Sequence, residues 1–290
     1  MTKLSEKEIR SLISLIDDDE VYETVFNKIV ELGDEAIGFL DEEIETSLNT
    51  VKTNRLQKAY DAIILDSCIS DLKDWKKNNS VNLFRGMTIV SRVNYPNLDL
   101  QYINGEINKI KDSLWLELND NLTALEKVRV LNNVFFEMYK FKGDTKDFYN
   151  PKNSFLIDVL KRKKGNPISL SSLYSIVALS VGIPVYGVNM PQHYIVAYAD
   201  SLSLHPYTDF RRNDILFYIN PYYRGEIYSL KEVYGFLNRM NIEITDDKIL
   251  PCSNVVTVRR VINNLIMIYK NKNDKEQEEK YRKLLGALDE

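Results

Sequence analysis

The chain has 290 residues, of which 44% are hydrophobic and 28% are charged, the proportions of a globular protein with a sizeable core. Its 38 Lys and Arg residues are balanced by 42 Asp and Glu residues, which leaves a formal net charge of −4 at pH 7. Because non-specific affinity for nucleic acids comes mainly from cations that neutralise phosphates, this balance excludes a general polyanion binder, and no nucleic-acid partner is expected.

The first eighty residues have the pattern of consecutive short helices. Ser5 and Glu8 form a capping-box signature ahead of apolar residues at helical spacing, and Gly33 is placed as the stop of a second helix. Two further helices follow, the longer over residues 56–75. We expect residues 1–80 to form a helical N-terminal region similar to a HEAT-like stack of α-hairpins.

From residue 81 the helical pattern continues as the lead-in to a second region. Apolar periodicity predicts helices over residues 83–93, 100–118 and 123–139. Thr123 and Glu126 give the last of these a capping box at its start.

The period of the apolar residues changes after residue 150. A helix over residues 154–163 leads through Gly165-Asn166-Pro167 into a strongly apolar helix that ends just before Gly182. The segments 185–188, 193–199 and 215–219 are rich in β-branched and aromatic residues and are predicted strands. We place a core domain with its helical lead-in at residues 81–250.

The remaining chain returns to helices. Ser229 and Glu232 begin one of them, and the segments 255–269 and 275–288 form a predicted pair. We expect residues 251–290 to form a C-terminal helical hairpin, similar to a single TPR-like unit.

Cysteine usage and motif content argue against metals and cofactors. Cys68 and Cys252 lie far apart and outside any CxxC pattern, so neither a disulfide framework nor a zinc site is expected. Neither of the glycine-rich phosphate-binding patterns occurs, and no cofactor is expected. The polar first eight residues and the lack of a bilayer-length apolar run predict a cytoplasmic protein without a membrane partner.

Two histidines occur, and His193 has the more informative position. It follows Pro191-Gln192 at the start of a predicted strand, whereas His205 lies in a polar loop. A histidine at a strand start can be a packed structural residue or a general base near neutral pH, and both interpretations stay open.

The order of elements around His193 is that of a papain-like core. A glycine-led turn opens an apolar helix, and the strand-borne histidine and a strand ending in Asn220-Pro221 follow. In such cores the nucleophile lies at the amino end of the buried helix, where free N–H groups and the helix dipole lower a thiol pKa. The histidine and the residue that orients it come from the adjacent strands.

Several joined motifs make the resemblance specific. They are N-P-x-N-S-x-L from Asn150, G-x-P-I-S-L from Gly165, G-I-P from Gly182, G-V-x-x-P-x-H from Gly187 and N-P-Y-x-x-G from Asn220. Together with upstream and C-terminal matches over roughly residues 83–285, they resemble the bacterial SirB-type branch of the transglutaminase-like superfamily. The resemblance implies an α+β fold, in which a helical N-terminal array precedes a transglutaminase-like (papain-like) core of helix plus antiparallel sheet and a C-terminal helical hairpin.

Active members of that superfamily use a Cys-His-Asp triad, and the resemblance implies a degenerate one here. The cysteine position is occupied by Pro167, and Ser169 is the nearest hydroxyl. His193 matches the histidine, and Asn220 stands where the family usually has Asp. Ser169 can act as a nucleophile with His193 as base and Asn220 fixing its tautomer, or it can simply cap the helix.

Residues around these positions are predicted to line a cleft: Pro167, Gln192, Tyr222, Tyr223 and Arg224. The main functional hypothesis is a pseudoenzyme whose cleft binds a peptide, protein or amide-bearing partner without ordinary transglutaminase activity. The alternative is a hydrolase or acyl-transfer enzyme, of protease or amidase type, with Ser169 as nucleophile and His193 as base. The sequence decides neither enzymatic activity nor oligomeric state.

Overall fold

Short helices open the chain in the computed structural model, which describes residues 4–289. The chain divides into two compact units: one comprises the described residues up to Asp71 with Arg92–Pro96, and the other comprises Leu72–Ser91 and the described residues from Asn97 onward. The helices that lie wholly in the first unit are α1 (Glu6–Ser14), α2 (Tyr22–Leu32) and α3 (Asp34–Thr46). They pack on one another through buried apolar residues such as Ile13, Ile29 and Leu40.

Six further helices follow along the chain before the strands of the main sheet. They are α4 (Thr50–Asn78), α5 (Leu83–Arg92), α6 (Leu100–Glu117), α7 (Ala124–Asn132), α8 (Leu156–Arg162) and α9 (Pro167–Ser180). The single helix predicted over residues 123–139 is α7 followed by a π-helical turn at Asn133–Met138. Helix α9 is buried along most of its length and carries apolar residues together with buried serines, as expected for the central helix of the core.

The main sheet is antiparallel, with strand order β3-β4-β5-β6. Its strands are β3 (Val185–Val188), β4 (Ile195–Ala199), β5 (Ile215–Asn220) and β6 (Glu226–Tyr228). Helix α9 packs against β3 and β4, and a second helix, α11 (Leu230–Arg239), contributes Val233 and Leu237 to an apolar cluster with residues of β3, β4 and β5.

A two-residue parallel ladder holds the amino end of α9. Strand β1 (Lys142–Gly143) pairs with β2 (Lys164–Gly165), so that Gly143 lies opposite Gly165. A Cβ at Gly143 would come within 2.6 Å of the Tyr222 ring, and one at Gly165 within 2.6 Å of Ser169 Oγ. Both backbones approach their neighbours so closely that a larger residue would displace them.

Asn132 ties α9 to the turn after β5. Its Oδ1 accepts a hydrogen bond from the Tyr174 hydroxyl of α9 at 2.7 Å, and its Nδ2 donates to Gly225 O at 3.0 Å. Gly225 has a φ of 75°, in the left-handed region that favours glycine, and its N–H donates to Asn220 O at 2.9 Å. The position of Asn220 is therefore set from the helix side as well as from the sheet.

Helix α10 (Pro206–Asp209) is a short helix between β4 and β5. After the sheet the chain is helical again, and the remaining α-helices are α12 (Asp246–Ile249), α13 (Asn254–Asn271) and α14 (Lys275–Gly286). The last two form the expected hairpin, in which Tyr269 stacks on Tyr281 with 5.6 Å between ring centroids. No helix within residues 4–289 combines the length and the apolar character needed to cross a membrane.

The α+β fold expected from the sequence is confirmed, but the two-residue strands β1 and β2 were not predicted, and β4 and β6 also differ from the prediction. Strand β4 begins at Ile195 and not at His193, because a turn closed by His193 N–H donating to Met190 O at 3.1 Å precedes it. Strand β6 was not predicted, since its three residues are too few for an alternation to show. The HEAT-like and TPR-like descriptions and the boundaries at residues 80 and 250 stay predictions.

Candidate functional site

Ser169 is the third residue of α9 and is fully buried. Its backbone N–H donates to Asn166 Oδ1 at 2.9 Å, and its Oγ accepts from Asn166 N at 3.0 Å, which completes a capping box. The hydroxyl proton is directed to Asn153 O at 2.5 Å. Within residues 4–289, no hydrogen bond joins Ser169 to His193, so the structure does not bring the serine and the predicted base together.

The amino end of α9 also rests on a polar network. The Arg162 guanidinium donates to Asn153 Oδ1 and to Asp144 Oδ2, both at 2.9 Å, and Asn153 Nδ2 donates to Asp147 O at 2.7 Å. Asp144 is 3% exposed and Asn153 is fully buried. Because each of these buried groups has a partner, the network fixes the backbone that Ser169 contacts.

Pro167, which the motif resemblance predicts at the position of a cysteine, lines a cavity of about 360 Å³. Gln192, Tyr194 and Arg260 contribute to the same cavity. The amino end of α9 therefore faces the segment that precedes β4, as the papain-like arrangement requires. Proline has no side-chain nucleophile and no N–H group, so the residue at this position supplies neither a thiolate nor a hydrogen-bond donor.

His193 lies in the same segment, but its ring lines a different cavity of about 700 Å³. The imidazole packs edge-on against Phe236 of α11, with 4.8 Å between ring centroids and an interplanar angle of 85°. Burial, and secondly the positive charge of Arg260, lower the pKa of His193 below its ordinary value. The neutral imidazole, which can accept or donate one hydrogen bond, is thus favoured near neutral pH.

Asn220 is the last residue of β5 and lines the cavity of His193. Its side chain is 5% exposed, and its Oδ1 is buried without a hydrogen-bond partner among the described residues. A buried acceptor left unpaired costs about 1–3 kcal/mol of folding free energy, and such groups are uncommon enough in native proteins to need an explanation.

The rest of this cavity, called here the His193 cavity, combines apolar and polar groups. Its apolar wall includes Met190, Ile195, Val233 and Phe236. Tyr228 of β6 also lines it, and burial together with the neighbouring Glu226 raises the pKa of Tyr228 to about 12, so its phenol stays protonated. A concave cavity of this volume, in which polar side chains converge on an apolar wall, has the form of a small-ligand site.

The structure places the predicted cleft residues in four different locations. Tyr223 lines the His193 cavity, whereas Pro167 and Gln192 line the smaller one. Tyr222 lies against Gly143, and its hydroxyl donates to Asp144 O at 3.4 Å. Arg224 is exposed and forms an ion pair with Glu137. The residues that the structure brings together are His193, Asn220 and Tyr223.

Sequence reasoning missed the contribution of α11. Lys231, Gly235 and Arg239 line the His193 cavity, and they are four residues apart, so they lie on one face of the helix. This spacing was visible in the sequence, but nothing near it showed that the face would meet a histidine forty residues earlier in the chain.

The cysteines lie elsewhere. Burial raises the pKa of the Cys68 thiol to about 11, and burial likewise raises the pKa of Cys252. Cys252 Sγ lies 3.7 Å from the Tyr194 hydroxyl and 3.6 Å from Thr257 Oγ1. Thiols with raised pKa values are poor nucleophiles.

Among residues 4–289, no group of three or more His, Cys, Asp or Glu residues is arranged to hold a metal ion.

The chain is similar in sequence to known proteins and to a family model. The family model described as the transglutaminase-like superfamily matches residues 101–263. A UPF0162 protein of Xylella fastidiosa is 26% identical over 191 residues, which cover 64% of this chain and 64% of the relative. A UPF0162 protein of Vibrio cholerae is 23% identical over 119 residues, 41% of this chain and 44% of the relative.

A eukaryotic protein shares a shorter stretch. F-box only protein 21 of Mus musculus is 42% identical over 66 residues, which are 23% of this chain and 10% of the relative. The chain spans less than two thirds of the length of each of these three relatives. No solved structure matches it.

Proposed function

The chain belongs to the transglutaminase-like superfamily, and we propose that it is a member of the SirB-type branch that binds a peptide or other amide-bearing partner without ordinary transglutaminase activity. The binding site is the His193 cavity. The site lacks a nucleophile, and the unpaired acceptor of Asn220 recognises the ligand.

The absence of a nucleophile is supported at both possible positions. Pro167 stands where active members of the superfamily carry the cysteine. The hydroxyl of Ser169 is buried, donates to Asn153 O and shares a capping box with Asn166. A serine needs a base within hydrogen-bond reach to become nucleophilic, and His193 lines a cavity to which Ser169 does not contribute.

The observation that carries ligand recognition is the buried Oδ1 of Asn220, which has no partner among the described residues. An acceptor in that state is satisfied by a ligand that brings an N–H group, and backbone amides and carboxamides are the N–H donors of peptides. The neutral imidazole of His193 on the same cavity can pair with the carbonyl or the N–H of the same amide.

Binding can be followed at the imidazole itself, because the chain has two histidines. The full chain is labelled isotopically in histidine, and a mixture of N-acetylated tetrapeptides of random sequence is added. We expect the ring signals of His193 to shift and those of the exposed His205 to stay in place. A mixture that leaves the His193 signals unchanged would contradict the proposal.

A matched pair of variants locates the binding. Asn220→Leu removes the acceptor while keeping the side-chain size, and we expect peptide affinity to fall about tenfold, the effect of one lost hydrogen bond of roughly 1.4 kcal/mol. Asn264→Leu makes the same change in the smaller cavity and serves as the control. Equal losses in the two variants would show that the His193 cavity is not the binding site.

A further inference from the structure

One face of α11 presents two cations to the His193 cavity. Lys231 and Arg239 are eight residues apart on this face, with Gly235 between them. Arg239 Nη1 lies 3.7 Å from the position that a Cβ would take at Gly235, so the guanidinium folds back over the glycine. Because Gly235 has no side chain, none of its atoms separates this guanidinium from Lys231.

Neither cation has a carboxylate partner among the described residues. Other surface arginines nearby are paired: Arg212 with Asp246, and Arg224 with Glu137. The carboxylate that shares the cavity lining, Glu232, accepts from Ser229 N and Ser229 Oγ at 2.7 Å in the capping box of α11. It is therefore already engaged with the start of its own helix.

We propose that this face is a carboxylate subsite, so that the preferred ligand carries a carboxylate a short distance from the amide N–H that pairs with Asn220. The inference rests on the proposed function, since the amide and the carboxylate belong to one ligand. The carboxylate lies over Gly235 between Lys231 and Arg239, and the ligand's apolar part packs on Phe236. Arg guanidinium and carboxylate groups form charge-assisted hydrogen bonds, which are the stronger class.

Two sources can supply this chemistry in a peptide: the free C-terminal carboxylate, or the side chain of Asp or Glu. Both place a negative charge within one residue of a backbone N–H. The subsite therefore predicts selection for a peptide end or an acidic peptide over a neutral one, and the two sources are separated by the choice of probe.

Three pools of N-acetylated tetrapeptides, random in uncharged residues, distinguish the possibilities. One pool ends in a free carboxylate, one ends in a carboxamide, and one ends in a carboxamide but contains a glutamate. We expect the first or the third pool to bind at least about tenfold more tightly than the neutral pool, as measured by the shift of the His193 ring signals during titration.

Charge-removing variants test the assignment to α11. The double variant Lys231→Gln, Arg239→Gln should lose the preference for the charged pool while it still binds the neutral pool, which a misfolded protein would not do. Lys275→Gln, an exposed position at the start of α14, is the control and should keep the preference. Added salt should reduce the preference as well, because exposed charges are screened.

The outcomes separate the two proposals. Equal binding of charged and neutral pools, or a preference that survives the double variant, overturns the carboxylate subsite and leaves the amide-binding function standing. The failure of all three pools to shift the His193 signals overturns the proposed function itself.

Discussion

Asn220 and His193 line the same cavity of about 700 Å³, and the Oδ1 of Asn220 is buried without a partner among the described residues. Since this Oδ1 accepts no hydrogen bond from His193, the two residues share a cavity without forming the bonded pair in which one residue orients a histidine. Pro167 lines a different cavity, of about 360 Å³.

Restoring a carboxylate at this position should change the imidazole. We expect Asn220→Asp to raise the pKa of His193, because a nearby negative charge stabilises the imidazolium. The pKa is measured from the His193 ring signals during a pH titration by NMR. Asn238→Asp, an exposed change on α11, is the control and should leave this pKa unchanged. An unaltered His193 pKa in Asn220→Asp would show that the two side chains do not interact across the cavity.

The stability of the protein should depend on pH through His193. Burial and Arg260 lower its pKa in the folded state, whereas the unfolded chain binds the proton at the ordinary value of about 6.5. Below that pH the unfolded state holds more protons than the folded state, so the free energy of unfolding should fall as the pH decreases through and below about 6.5.

Denaturant unfolding measures how the free energy of unfolding changes with pH. The series runs from about pH 5 to about pH 8, which brackets the range in which histidine titrates. His193→Gln keeps a polar side chain but cannot titrate, and it should flatten the curve in this window. His205→Gln is the matched control and should retain the part of the slope that comes from His193. If the free energy of unfolding of the wild type changes with pH no more steeply than that of His193→Gln, then His193 does not cause the pH dependence.

Ser169 should matter for stability and not for chemistry. Ser169→Ala removes the hydrogen bond to Asn153 O and one half of the capping box, and we expect a loss of about 1–3 kcal/mol in the free energy of unfolding. Ser172→Ala on the same buried helix removes a hydroxyl that has no hydrogen-bond partner within residues 4–289, so it should cost much less or stabilise the protein. Chemical denaturation of the two variants gives the comparison.

The same serine distinguishes the binding protein from the hydrolase. A fluorophosphonate probe should leave the wild-type chain unlabelled, because the Ser169 hydroxyl has no base within hydrogen-bond reach among the described residues. Labelling of the wild type that disappears in Ser169→Ala would instead establish the serine as a nucleophile and end the non-catalytic proposal.

The network beneath α9 should be costly to break. Arg162→Met leaves the carboxylate of Asp144, which is 3% exposed, without its cation, and we expect a loss of about 3–5 kcal/mol. Arg282→Met removes an exposed ion pair with Glu278 four residues away, and it should cost less than about 1 kcal/mol. Similar losses in both variants would show that the ion pair of Arg162 with Asp144 contributes no more to stability than an exposed ion pair does.

Some element boundaries could be predicted from the sequence, and others could not. Strand β3 has the predicted bounds, and α9 begins at the Gly165-Asn166-Pro167 turn and ends before Gly182, because capping residues, proline and glycine act within a few residues of the chain. The turn that closes at His193 was not predicted. It depends on Gln192, which adopts a positive φ of 59°. A single left-handed residue other than glycine leaves no pattern in the sequence.

The sequence alone determined the order of the long helices and of strands β3 to β5, the α+β class and the membership in the superfamily. These depend on periodicity, capping and motif spacing, all of which are local. The tertiary structure decided that Ser169 donates to Asn153 O, that His193 and Asn220 line one cavity, and that Lys231 and Arg239 of α11 line it too. Those outcomes depend on which side chains from distant segments compete for the same space and the same hydrogen bonds, and packing alone settles that competition.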